Sequence, residues 1–153
     1  IFLDVASHTL DFLDFLFGPI ETVRAFASNL SGAYAPEDTI SASYRFASGV
    51  LGNGAWCFAA GIDDETNEIV GSRGRIVFST TRPVPIRLCC GAAVEERLIA
   101  DPPHVHQPLI QSIVDELNGG PPCPSTGETA LRTTAAADAI LREYRGRAAR
   151  GPS

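Results

Sequence analysis

The chain contains no lysine and no methionine: all 12 of its basic residues are arginine. The missing lysine excludes a Schiff base, a P-loop lysine and a lysine acid or base from this polypeptide. Lacking methionine, and opening within an apolar stretch at Ile1, it reads as a piece of a longer polypeptide cut just upstream. No basic run occurs before Arg142, Arg145, Arg147 and Arg150, and 12 basic against 18 acidic side chains give a formal charge of −6. That balance argues against nucleic acid or an anionic membrane as the main partner. The four cysteines, Cys57, Cys89, Cys90 and Cys123, form no CxxC spacing, so neither a zinc knuckle nor a redox pair is signalled and reduced cytoplasmic thiols are expected. Residues 1–20 are no signal peptide or membrane span, because Asp4, Asp11 and Asp14 interrupt the apolar run.

What the chain does have is enough apolar material to fold unaided. With 153 residues and 44% hydrophobic content, a single domain of this size buries roughly two-thirds of its unfolded surface. The first segment is helical in period. At about 100° per residue, Asp4, Ser7, His8, Asp11 and Asp14 gather on one side. Val5, Ala6, Thr9, Leu10, Phe12, Leu13, Leu16 and Phe17 form the packing side, with Phe15 an exception among the polar residues. Gly18-Pro19 ends the helix. An aspartate one turn before a histidine can accept its ring N–H and stabilise the imidazolium, a disposition suited to general acid/base work. The same spacing also describes an ordinary surface pair.

Period two follows. Ile20–Asn29 reads as a strand, a turn-rich segment leads to Glu37-Asp38, and Thr39–Ala47 with Leu51–Ala60 form a hairpin across Ser48-Gly49. Residues 66–71, 75–79, 85–90 and 94–100 are further short strands joined by short turns, the mark of antiparallel pairing. Helices return over residues 109–117, ended by Asn118-Gly119-Gly120, and from about Gly127 to Arg145, with Ser125 or Thr126 as the cap. The order predicts an α+β fold: a largely antiparallel, open-faced sheet with helices packed on one face. Phe46, Val50, Trp56 and Phe58 are candidates for the uncovered face, which would be closed by a second copy of the chain, or else for ordinary core.

Gly52-Asn53-Gly54 and Gly71-Ser72-Arg73-Gly74 lie between strands, not between a strand and a helix, and read as turns or bulges instead of a dinucleotide site. His104 and His106 stand in a proline-rich loop with no third ligand placed by spacing, so no metal site is assigned.

Several stretches resemble the C-terminal domain of the glucose-fructose oxidoreductase / inositol dehydrogenase (Gfo/Idh/MocA) family. They are Asp4-Val5-Ala6-Ser7-His8-Thr9-Leu10-Asp11 with Leu16-Phe17-Gly18-Pro19-Ile20; Glu37-Asp38 before a strand ending in Ser48-Gly49; Gly71-Ser72-Arg73-Gly74-Arg75-Ile76-Val77-Phe78; and Ser125-Thr126-Gly127-Glu128. The likeness runs from residue 1 to about 146. It implies a substrate-binding and oligomerisation domain over 1–146, a tail over 147–153, and an upstream Rossmann domain that holds NAD or NADP and supplies a catalytic lysine. It further implies that Asp4 binds a substrate hydroxyl and that His8 exchanges the hydroxyl proton as hydride moves. The expectation is therefore a cytoplasmic NAD(P)-dependent dehydrogenase acting on a sugar, polyol or related hydroxy compound, a homo-oligomer through the open sheet face. The isolated chain should be inactive and bind no cofactor. The rivals are a non-catalytic assembly module and a free-standing ligand-binding domain.

Overall fold

The computed structural model describes residues 1–148. Its elements are α1 (Phe2–Phe17), β1 (Ile20–Ser28), β2 (Thr39–Phe46), β3 (Leu51–Cys57), β4 (Asn67–Gly71), β5 (Gly74–Phe78), β6 (Ile86–Cys90), β7 (Ala93–Arg97), α2 (Gln107–Leu117) and α3 (Gly127–Ala148). Helices and antiparallel strands appear in the expected order, so the α+β class holds. The strands divide between two sheets, β1-β2-β3 and β4-β5-β6-β7. The domain expected over 1–146 correspondingly consists of two compact units, one from residues 1–62 with the segment from Gly127 onward, the other from residues 63–126. The last helix runs three residues beyond the expected Arg145; Arg150 and the rest of the tail from residue 149 lie outside the described residues.

In the first unit, Gly18 ends α1 with φ of 82° while its N–H bonds to the Asp14 carbonyl at 2.8 Å, a backbone state that costs glycine nothing. In β2, Ile40, Ala42, Tyr44 and Phe46 are buried, and Ser41, Ser43 and Arg45 point the other way. Phe2, Ala6 and Leu10 of α1, Ala27 of β1 and Ala137, Ile140 and Leu141 of α3 complete the core, so both helices cover one face of the three-stranded sheet.

The glycines of β3 correct the turn reading of Gly52-Asn53-Gly54. Tyr44 pairs with Gly52 across the strands and Ile40 with Trp56. A Cβ on Gly52 would stand 2.2 Å from Tyr44 Cε2, and one on Gly54 2.4 Å from Trp56 Cη2. Both glycines are therefore seats for aromatic rings. Phe2 meets Trp56 edge-on with ring centres 5.1 Å apart, and Tyr44 meets Phe46 at 5.5 Å, geometries worth about 0.5–1.5 kcal/mol beyond their buried area. Phe46 and the half-buried Trp56 thus belong to the covered face. The open face carries Phe26 and Leu51, each 76% exposed.

The loop between β1 and β2 is organised by Asp38, whose side chain is wholly buried. Its carboxylate accepts from the backbone N–H of Leu30 at 2.9 Å and of Ser31 at 2.8 Å, and from the Thr39 hydroxyl at 2.9 Å. The Leu30 N–H first, then Ser31 and Thr39, hold this carboxyl well below the usual range against the opposing effect of burial.

In the second unit, β4 to β7 form a meander, and Gly71-Ser72-Arg73-Gly74 is the turn joining its first two strands. Glu65 ties two loops together. Its carboxylate accepts from the Asn67 amide at 2.7 Å, from the Thr80 and Thr81 N–H groups at 3.0 Å each, and from the Ser79 hydroxyl. Burial pushes its pKa up, but the hydrogen bonds from Ser79, Thr80 and Thr81 outweigh it and leave Glu65 below the usual range. No residue of α2 is buried.

The depressed Asp38 fixes the sign of an acid effect. Its stabilisation is complete above the unfolded-state pKa of about 3.9 and is lost as pH falls below that value toward the folded one. Urea midpoints should therefore drop between pH 4 and pH 3. Asp38→Asn should be less stable than the parent at pH 7 and show a shallower drop over that interval; an undiminished acid dependence in the variant would remove Asp38 from this role.

Candidate functional site on the first helix

Which side of α1 faces outward is decided by its contacts with the rest of the first unit. Phe2, Ala6, Thr9 and Leu10 are buried, and Leu13 and Phe17 pack against the core. Beside this stripe, Asp14 is only 5% exposed. The Arg132 guanidinium on α3 holds it through Nη2 to Oδ2 at 2.7 Å and through Nε to both oxygens at 3.2 Å. That bond raises the pKa of Arg132 further above its already high value. One turn earlier, the Thr133 hydroxyl donates to Asp11 Oδ1 at 2.8 Å. Asp14 therefore does not belong to the open polar side assigned from periodicity. It is a buried anion paired with a cation 118 positions away, and the pairing could not be seen in the helix pattern alone.

Asp11 and Asp14 are thus engaged in joining two helices, and the Ser7 hydroxyl turns back to the Asp4 carbonyl at 2.8 Å. Asp4 and His8 are left exposed, one turn apart on the side away from the core. No hydrogen bond joins them among the described residues, so the carboxylate does not fix the ring in this arrangement. The residues around His8 correct a second expectation. Val5, Phe12 and Leu16, assigned to the packing side, are 37%, 38% and 43% exposed, and Phe15 is 67% exposed. Helical spacing places Val5 and Phe12 next to the imidazole and Phe15 and Leu16 further along the same side of the helix. The core reaches only about half of the helix circumference, because one strand layer and α3 approach it from one direction. The site is accordingly a carboxylate and an imidazole set in an apolar, exposed surface. A hydroxyl-bearing molecule laid there can be hydrogen-bonded by Asp4 while its proton is exchanged with His8.

The remaining candidates are not drawn together. The His104 carbonyl accepts from Gln107 N–H at 3.0 Å, and His106 stands at the start of α2. Among the described residues there is no group of three or more His, Cys, Asp or Glu side chains fit to hold a metal ion. Cys57, Cys89, Cys90 and Cys123 are all free. No helix among the described residues is long and apolar enough to cross a membrane.

The family model described as GFO/IDH/MocA C-terminal domain matches residues 1–77, a stretch that includes α1, the whole of the first sheet and both candidate residues. The chain belongs to the GFO/IDH/MocA family. Solved structures carry the same fold as this GFO/IDH/MocA chain. An oxidoreductase from Thermotoga maritima is 25% identical with a TM-score of 0.77, over 92% of this chain and 41% of its own. An oxidoreductase from Agrobacterium radiobacter, solved with NAD+, L-tartaric acid and magnesium, is 19% identical with a TM-score of 0.77, over 95% of this chain and 47% of its own. The UDP-N-acetylglucosamine 3-dehydrogenase of Acidithiobacillus ferrooxidans is 17% identical with a TM-score of 0.80, over 93% of this chain and 46% of its own. The chain thus spans somewhat under half the length of the solved structures it matches. No curated protein sequence matches it.

Proposed function

We propose that this chain is the substrate-binding and oligomerisation part of an NAD(P)-dependent oxidoreductase acting on a sugar, polyol or related hydroxy compound. The observation that carries the reading is the division of labour on α1. Asp11 and Asp14 bind α3, while Asp4 and His8 stay open within an apolar surface that a further domain would cover. Asp4 receives a substrate hydroxyl, and His8 takes or returns its proton. An imidazole suits this task near neutral pH.

Neither glycine pair among the described residues makes a cofactor cradle. A dinucleotide site needs glycines in a turn between a strand and a helix. Gly52 and Gly54 are instead ring seats inside β3, and Gly71 to Gly74 turn one strand into the next. The nicotinamide, which supplies or accepts hydride, is therefore assigned to a Rossmann domain upstream, together with a lysine that this chain lacks. The neighbour that holds NAD+ is about twice as long as the matched chain, which supports this arrangement. The open face of the first sheet, with Phe26 and Leu51 exposed, is assigned to self-association. The four free thiols suit the reducing cytoplasm.

The missing hydrogen bond between Asp4 and His8 gives a non-catalytic assembly module its claim as the second reading. One measurement tests the assignment of the cofactor and a second separates the two readings. Calorimetry on the 153-residue chain alone should show no dinucleotide binding in the micromolar range, and tight binding would contradict the proposed assignment of the cofactor. With the upstream domain joined, His8→Ala should lower kcat by about 10²–10⁴. Unchanged turnover in that variant would return His8 to a structural role, and a joined protein inactive toward hydroxy compounds would favour the module.

A further inference from the structure

The open face of the first sheet sets two arginines side by side. Its outward positions form two adjacent cross-strand rows, Thr22 with Arg45 and Leu51, and Arg24 with Ser43 and Asn53. These six residues line a shallow depression. Arg24 and Arg45 lie on neighbouring strands at diagonal positions, which antiparallel geometry sets at about 7–8 Å apart. Neither guanidinium has a carboxylate partner among the described residues. Arg24 donates only to the carbonyl of its neighbour Val23 at 2.9 Å, and Arg45 to the Thr22 hydroxyl at 3.3 Å. The acidic residue beside these rows is Glu21, at the bulge between Ile20 and Thr22, and it forms no ion pair with either arginine among the described residues.

Two arginines without an anionic partner, within reach of one another on a rigid sheet, suit an anion that can bind both at once. Each guanidinium has five N–H donors in a planar fork and commits one to the bond just described, so several remain. Ser43 and Asn53, paired across β2 and β3, line the depression as further donors, and Leu51 lines it as an apolar residue.

We propose that this depression binds a doubly charged oxyanion, a phosphate group or a dicarboxylate, clamped between Arg24 and Arg45 with Ser43 and Asn53 as neutral donors. The site stands apart from the oxidoreductase reading, because it lies on the sheet face opposite the helices and uses neither Asp4 nor His8.

The test is an amide ¹H–¹⁵N titration of the 153-residue chain with inorganic phosphate and, in a second arm, with succinate, each against sodium chloride at matched ionic strength. Saturable shifts confined to residues 22–24, 43–45 and 51–53 are expected with at least one of the two probes, the stronger arm telling phosphoryl from dicarboxylate recognition. Arg24→Gln and Arg45→Gln should each weaken binding about ten-fold, the loss of one charge-assisted contact. Ser41→Ala, one row along the same face, should leave it unchanged. These positions are exposed, and a thermal melt of each variant confirms that it folds. No saturation with either probe beyond the chloride control, or binding untouched by both arginine variants, would overturn the proposal.

Discussion

The pair formed by Asp14 and Arg132 sets the orientation on which the candidate site depends. A helix with apolar residues around most of its circumference has no unique packing face, because hydrophobic burial is non-directional and rewards several rotations almost equally. α1 is such a helix: Val5, Phe12 and Leu16 are as apolar as Leu10 and Leu13. A buried carboxylate removes the ambiguity, since an anion taken out of water without its cation is strongly disfavoured. Only the rotation that brings Asp14 against Arg132, with Asp11 reaching Thr133, satisfies both groups. That rotation turns Asp4 and His8 outward.

The sheet beneath the helices is built to accept them closely. The two β3 glycines let the Tyr44 and Trp56 rings lie across the strand, so a sheet of three strands carries three large aromatic side chains, Tyr44, Phe46 and the half-buried Trp56, on the face toward the helices. The other face mixes small polar residues and two arginines with the exposed Phe26 and Leu51, and stays open. The two faces thus differ in kind: one is filled by aromatic packing within the unit, and the other presents hydrogen-bond donors.

Much of this was legible in the residues. The alternation Ile40, Ala42, Tyr44, Phe46 against Ser41, Ser43, Arg45 named the buried face of β2 correctly, because a strand's period of two leaves no other choice. Gly18-Pro19 and Ser48-Gly49 placed a helix end and a hairpin turn where the backbone has them. The family likeness was visible in the order of short stretches. What stayed hidden depended on partners distant in sequence. Asp14 looks like surface until Arg132 is brought to it, Gly52 looks like a turn until the Tyr44 ring is laid over it, and Trp56 could be assigned to either face. The break between the two sheets lies in the stretch around residues 58–66, whose composition resembles that of any other loop. For the site, helical spacing placed Asp4 beside His8 but could not decide whether they bond. Phe15, out of place on the polar side, was the one sign in the sequence that the outward face is apolar as well as charged.

The central claim is that one ionic contact fixes the rotation of α1, and a double-mutant cycle tests it most directly. Asp14→Ala, Arg132→Ala and the double variant would be compared by urea unfolding at pH 7. The account predicts a coupling of about 1.5–3 kcal/mol, the range of a hydrogen bond to a charged group, with the double variant less destabilised than the sum of the single changes. Additivity within about 0.5 kcal/mol would mean that the two side chains do not act on each other, and that the outward placement of Asp4 and His8 has another cause.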